Sequence, residues 1–166
     1  FCYHDVPEHL DPFNYDTYRE NPMEFYVVAT DANTGEARYK RVDSCNKSEL
    51  LWMKASASMP LVSKIVCVDG YELLDGGIAD SIPIQFLESL GYDRNVVILT
   101  QPRDYVKGKN QLIPLAKVML RKYPAMIEAM ENRHIHYNET LDYIRKREKE
   151  GSLFVIRPPK KLEVSK

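Results

Sequence analysis

The chain has 166 residues, of which 44% are hydrophobic and 28% charged, and its formal net charge is −1. This composition is typical of a globular protein with a single core and excludes an intrinsically disordered chain. The near-neutral charge gives no general attraction to nucleic acid, so we expect no nucleic-acid partner.

The N-terminal part of the chain predicts a loop followed by two neighbouring strands. Residues 1–22 are polar and contain three prolines, which indicates a loop-like connection. Residues 24–30 are rich in aromatic and β-branched side chains, which favours a buried strand. A turn over residues 31–35 then predicts a strand over 37–42 that returns beside the first.

The middle of the chain predicts a helix and a hairpin. Ser48 is positioned to cap a helix from Glu49 to about Ala57, and Pro60 ends that element. The apolar runs 65–68 and 71–74 flank the dipeptide Asp69-Gly70, which is typical of a two-residue hairpin turn.

The C-terminal half predicts alternating helices and strands. After Gly77 we expect a helix capped by Asp80 or Ser81, and then a strand over 96–100 that is covered on both faces. Helices follow over 112–122, 125–133 and 139–150, the last capped by Asn138, and the final strand covers 153–156. This alternation over residues 65–157 predicts an α/β fold with a mostly parallel sheet and helices on its faces.

The cysteines indicate neither a disulfide framework nor a zinc site. Cys2, Cys45 and Cys67 are odd in number and widely spaced. Cys67 lies in an apolar run, so we expect it in the core. The pattern favours a reducing, cytoplasmic location, and no apolar stretch reaches the roughly 18 residues of a membrane-spanning helix.

Asp75 is the strongest candidate for a catalytic residue. It ends an apolar strand and precedes Gly76 and Gly77. A carboxylate at a strand end, beside glycines that allow close backbone approach, is suited to accept a proton from a nucleophile. The alternative is an ordinary Asp-Gly turn residue. The turn at Asp69-Gly70 already reverses the hairpin, which favours the catalytic interpretation.

Several segments in this order resemble the C-terminal half of a patatin-like phospholipase, especially of the bacterial type. The resemblance is strongest over about residues 12–100 and rests on four blocks: residues 24–31, 33–36, 55–60 and 74–83. Their joint order and spacing are specific, whereas any one block alone is not.

The resemblance implies a three-layer α/β/α fold and a Ser–Asp dyad that hydrolyses acyl esters of lipids without a cofactor. Asp75 would be the aspartate of the dyad, and Gly76 and Gly77 would complete its motif. The serine would come from a strand-to-helix elbow and the oxyanion donors from a glycine-rich loop, neither of which the chain contains. We therefore expect residues 1–166 to be one partial domain that is inactive alone.

This interpretation also predicts the partners of the chain. They are an acyl lipid substrate and the N-terminal half of the same protein, which carries the nucleophile. A half domain exposes core surface, so we expect self-association or a second bound fragment. The basic stretch over residues 101–123 either forms a solvated face or contacts an anionic membrane surface.

Two other functions stay open at this point, and two other candidate sites are disfavoured. The chain is alternatively a non-catalytic module that binds lipid or a partner, or part of an acyltransferase. Ser56 and Ser58 lack the glycine neighbours of a nucleophile elbow, so we interpret them as packing residues. His134 and His136 have no obvious companion ligands, so we expect no metal site.

Overall fold

The computed structural model describes residues 5–162, and Cys2 and the start of the loop-like segment lie outside them. A π-helical turn covers Val6–Leu10, and the elements that follow are α1 (Tyr15–Glu20), β1 (Tyr26–Asp31), β2 (Ala37–Arg41), α2 (Lys47–Ser56), β3 (Val66–Val68), β4 (Tyr71–Asp75), α3 (Ile84–Ser89), β5 (Asn95–Ile98), α4 (Ile113–Met119), α5 (Pro124–Lys149) and β6 (Leu153–Ile156). Short helical segments thus lie within residues 1–22, where the sequence predicts a loop.

The described chain divides into two compact units. The first contains the described residues up to Ser81 together with Gln111–Glu131, and the second contains Ile82–Asn110 and the described residues from Asn132 onward. Within the described residues, no helix has the length and apolar composition needed to cross a bilayer.

The first unit is built on a sheet with the strand order β2-β1-β4-β3, and every neighbouring pair in it is antiparallel. The hairpin turn between β3 and β4 is confirmed, since Asp69 and Gly70 have φ angles of 50° and 81°. Trp52 and Ala55 of α2 pack with the apolar residues of β1, β3 and β4. In a second cluster of buried apolar residues, Leu74 of β4 packs with Ala116 of α4 and Met126 of α5.

The second unit contains a parallel pair of strands, β5 and β6, with Val96 opposite Phe154 and Ile98 opposite Ile156. Val97, Leu99 and Leu153 are buried against apolar residues of α3 and of the C-terminal part of α5. The opposite side of the pair is exposed, so the expectation that residues 96–100 are covered on both faces is wrong.

The predicted fold class, a three-layer α/β/α arrangement around a mostly parallel sheet, is wrong. The larger sheet is antiparallel, and the parallel pairing is confined to β5 and β6. Tight turns make the β1–β2 and β3–β4 pairs antiparallel, and the pairing of β1 with β4, which is also antiparallel, joins the two pairs into one sheet. The predicted alternation of helices and strands runs through β4, β5 and β6. These strands do not form one sheet, because β4 lies in the antiparallel sheet and, among the described residues, β5 pairs only with β6.

Three smaller predictions are corrected by side-chain contacts. Asn46, and not Ser48, caps α2. Cys67 is exposed, because it points away from the core between the buried residues Val66 and Val68. The chain over residues 124–149 is one helix without a break at Asn138, whose side chain instead bonds the backbone N–H and carbonyl of Lys107 at 2.8 and 3.1 Å.

Candidate functional site

Asp75 is the last residue of β4, as the sequence predicts for a carboxylate at a strand end. It lies opposite Ala29 of the neighbouring strand β1, and Leu74 lies opposite Thr30. Leu73 and Leu74 are buried, whereas Asp75 is half-buried. The strand therefore delivers this carboxylate from the core of the first unit to its surface.

The turn after Asp75 is held by a buried hydroxyl group. Thr30 donates a hydrogen bond from Oγ1 to the Asp75 carbonyl at 2.8 Å and accepts one from the Ala79 N–H at 3.2 Å. The Asp80 N–H donates to the Gly76 carbonyl at 2.9 Å. Because Thr30 is fully buried in β1, these bonds fix the turn to the sheet.

The two carboxylate oxygens of Asp75 have different surroundings. Oδ1 accepts a hydrogen bond from the Gly77 N–H at 2.7 Å, which is an Asx turn. Within residues 5–162, Oδ2 has no hydrogen-bond or ion-pair partner. Asp75 thus serves as a turn residue through one oxygen and leaves the other available to accept a proton from an incoming hydroxyl.

Gly76 is required by the close approach of two backbone segments. A Cβ atom at this position would lie 2.2 Å from the Val28 carbonyl oxygen and 2.5 Å from its carbon. Gly77 contributes the N–H that orients Asp75. The two glycines therefore position the carboxylate in different ways, one by packing and one by hydrogen bonding.

The structure brings the segment after α2 directly to Asp75. The Asp75 N–H donates to the Ser58 carbonyl at 2.9 Å, which joins the 55–60 and 74–83 blocks. The hydroxyl of buried Ser58 donates to the Lys54 carbonyl at 2.7 Å, so it is committed to the helix end. Among the described residues, no serine, threonine or cysteine side chain donates to the Asp75 carboxylate.

The prediction that Asp80 or Ser81 caps a helix is wrong. Asp80 accepts the Tyr39 hydroxyl at 2.7 Å, and the Ser81 hydroxyl donates to the Gly77 carbonyl at 2.6 Å. Burial, together with the bond to Asp80, raises the pKa of Tyr39. Helix α3 begins at Ile84 without a side-chain cap. Both residues therefore support the turn that follows Asp75.

An open cavity of about 590 Å³ lies beside Ser58. Its walls are formed by the C-terminal part of α2, the following loop and β3, and its lining residues are Leu51, Lys54, Ala57, Ser58, Ser63, Lys64, Ile65, Val66 and Cys67. The lining is mostly apolar and includes two exposed lysines. Such a cavity suits an amphipathic ligand with an anionic end.

The basic stretch over residues 101–123 is divided between the two units, with the residues up to Asn110 in the second and those from Gln111 in the first. In the second unit, Lys107 lies 4.7 Å from the ring centre of Tyr137, and burial lowers its pKa. In the first unit, Lys117 pairs with Glu131 at 2.8 Å, whereas Arg121 and Lys122 are exposed.

Among the described residues, the histidines on α5 are not part of a metal-ligand set. His136 pairs through Nδ1 with Glu139 at 3.4 Å, and both side chains are largely exposed. Across residues 5–162, no group of three or more His, Cys, Asp or Glu side chains is arranged to hold a metal ion.

Sequence reasoning missed two residues that support the site. Thr30 lies in a block that carries the resemblance, and a hydroxyl residue within an apolar strand is a signal of a buried polar contact. Tyr39 lies in a strand with alternating character, and nothing in the local sequence indicates its bond to Asp80 across 41 positions.

A family model matches the C-terminal part of the chain. Residues 123–166 match a family described as a domain of unknown function, DUF6363. The match includes α5 and β6 and lies outside the Asp75 site. No curated protein matches the chain at a significant level.

Proposed function

We propose that this chain supplies the aspartate of a Ser–Asp dyad that hydrolyses acyl esters of lipids, as the resemblance to patatin-like phospholipases implies. The observation that carries the proposal is the Asp75 carboxylate, which is held at the end of β4 by the Gly77 N–H and whose second oxygen has no partner among residues 5–162. We assign the serine to a segment outside these 166 residues, because none of their serines has glycine two positions before and after it. The hydroxyls of Thr30 and Ser58 are in addition bound to carbonyls.

In the proposed reaction, the serine hydroxyl gives its proton to Asp75 Oδ2 as Oγ attacks the ester carbonyl carbon. The tetrahedral intermediate collapses, the C–O bond to the alcohol breaks, and the leaving alcohol takes the proton from Asp75. Water then gives a proton to Asp75 Oδ2 as its oxygen attacks the acyl-serine. The bond to the serine oxygen breaks, the serine takes the proton from Asp75, and the carboxylic acid is released. The open, mostly apolar cavity beside Ser58 is the candidate site for the acyl chain, since the Ser58 carbonyl accepts the Asp75 N–H.

The proposal is tested by treating the full-length gene product with a fluorophosphonate probe and measuring the intact mass of every polypeptide. We expect label on a serine outside residues 1–166. Asp75→Asn keeps the oxygen that accepts the Gly77 N–H but removes the base, so labelling should slow by about a hundredfold or more.

Asp80→Asn is the matched control, since it makes the same chemical change five residues away and keeps an acceptor for Tyr39. Its labelling rate should stay close to that of the unmodified protein. Label on a serine within residues 1–166, or an unchanged rate in Asp75→Asn, would contradict the dyad.

A non-catalytic binding module of lipid or of a partner is the second candidate. It is favoured by the lack of any described hydroxyl or thiol that donates to the Asp75 carboxylate. In that case Asp75→Asn leaves the binding function intact and the probe labels nothing.

We further propose a cytoplasmic location, which is consistent with the free thiols of Cys45 and Cys67.

A further inference from the structure

Helix α4 carries apolar side chains on its exposed side as well as on its buried side. Ile113, Ala116 and Leu120 pack in the second core cluster of the first unit. The exposed apolar residues of α4 and its flanks are Leu112, Leu115, Val118 and Met119, and Val118 is 71% exposed. A surface helix normally places polar residues on its exposed side. An exposed apolar side therefore indicates a surface that contacts a membrane or another molecule.

Along the sequence, the charged residues of α4 and its flanks are all basic. The sequence contains no Asp or Glu between Asp104 and Glu128. Arg121 and Lys122 directly follow the end of α4, and both are exposed. Among the described residues neither has an acidic partner, whereas Lys117 is paired with Glu131. The surface thus combines exposed apolar side chains with two uncompensated cations.

We propose that this surface, which we call the α4 surface (Leu112, Leu115, Val118, Met119, Arg121 and Lys122), docks on an anionic lipid bilayer. The apolar side chains would enter the boundary between headgroups and acyl chains, and the two cations would lie at the level of the anionic headgroups. The chain over residues 105–127 contains no Asp or Glu, which favours this partner, because an acid among these residues would be repelled by the same headgroups.

This docking goes beyond the proposed reaction and does not depend on it, because it is measured without turnover. The purified chain is sedimented with vesicles of equal parts phosphatidylglycerol and phosphatidylcholine, and with vesicles of phosphatidylcholine alone. We expect the chain to pellet with the anionic vesicles, less at high salt, and only weakly with the neutral ones.

Two double variants separate the parts of the α4 surface. Arg121→Gln with Lys122→Gln should weaken binding to anionic vesicles about 25-fold, since each basic residue near such a surface contributes about fivefold. Leu115→Ser with Val118→Ser should weaken binding to both kinds of vesicle. Met23→Ser with Lys47→Gln makes the same types of change at exposed positions elsewhere in the first unit and should bind as the unmodified chain does.

Circular dichroism of each variant checks that these exposed substitutions leave the fold intact. Equal binding to both vesicle types, failure to bind anionic vesicles, or unchanged binding of the folded α4 variants would overturn the proposal. Dissociation of a dimer by Leu115→Ser with Val118→Ser, without any vesicle binding, would also overturn it and would assign the surface to a second copy.

Discussion

At the scale of single residues, the site depends on how the backbone beside Asp75 is packed. Sequence alone predicts an aspartate at a strand end followed by two glycines. The reason for the first glycine is a close approach that depends on the β1–β4 pairing, since the Val28 carbonyl occupies the space of a Cβ atom. A local pattern does not reveal which distant carbonyl fills that space.

Gly76→Ala should destabilise the protein by about 3 kcal/mol, because the added methyl group would overlap a backbone oxygen that cannot move without breaking the sheet. Urea denaturation measures the change. Gly108→Ala is the control, since a Cβ atom at Gly108 meets no atom within 4 Å. Equal stability of the two variants would show that the β1–β4 approach is looser than described.

At the scale of elements, the buried carboxylate of Glu49 organises the start of α2. It accepts hydrogen bonds from the N–H groups of Asp43, Ser44 and Asn46 at 3.0 to 3.1 Å, and Asn46 accepts from the Glu49 N–H in return. Burial by itself raises the pKa of Glu49, but these N–H donors outweigh burial and the net pKa is lowered. The arrangement is a capping box extended to the preceding loop.

Glu49→Gln should cost about 1–3 kcal/mol of unfolding free energy at neutral pH, because several buried donors lose their charged acceptor. The folded pKa lies below the unfolded one, so on acidification the unfolded state binds the proton first. The stabilisation is therefore present above the ordinary glutamate pKa and is lost as the pH falls through the lowered folded value.

Urea denaturation from about pH 7 down to about pH 3 tests this expectation. The difference in stability between the unmodified chain and Glu49→Gln should shrink as the pH falls. Glu128→Gln, an exposed glutamate on α5, should change stability little at any pH. A constant difference across the range would mean that the Glu49 charge is not the source of the stabilisation.

The length of α5 shows how tertiary contacts change the interpretation of an element. Asn138 is a good helix cap by type, so the sequence predicts a helix start there. The structure instead uses its amide group to bind the Lys107 backbone, and the helix continues through it. Nothing in residues 134–138 breaks a helix, and only the position of the distant loop decides how Asn138 is used.

At the scale of the whole molecule, the parallel pair β5 and β6 leaves an apolar face uncovered. Ile98 is 74% exposed and Phe154 is 66% exposed, and Val96 and Ile156 lie beside them on the same face. Parallel sheets are normally covered on both faces. This face is the described surface that best fits the expectation of self-association or a second bound fragment.

We expect the purified chain to sediment as a dimer or larger species, and Ile98→Thr with Phe154→Thr to shift it to the monomer because these changes remove apolar area from the exposed face. Sedimentation velocity over a range of concentrations is the measurement. Val106→Thr removes a comparable exposed group from another part of the second unit and should leave the distribution unchanged. A monomeric unmodified chain would refute the expectation.

The sequence by itself determined the local features of this protein: the two hairpin strands around Asp69-Gly70, the strand that ends at Asp75, and the place of most helices. These depend on turn residues and on the spacing of apolar side chains, which act over a few positions. Tertiary structure alone decided the antiparallel pairing of β1 with β4, the exposure of Cys67, and the bonds of Thr30 and Tyr39 around Asp75. Those outcomes depend on which distant segments meet, because strand partners and buried hydrogen bonds are chosen by the packing of the whole unit.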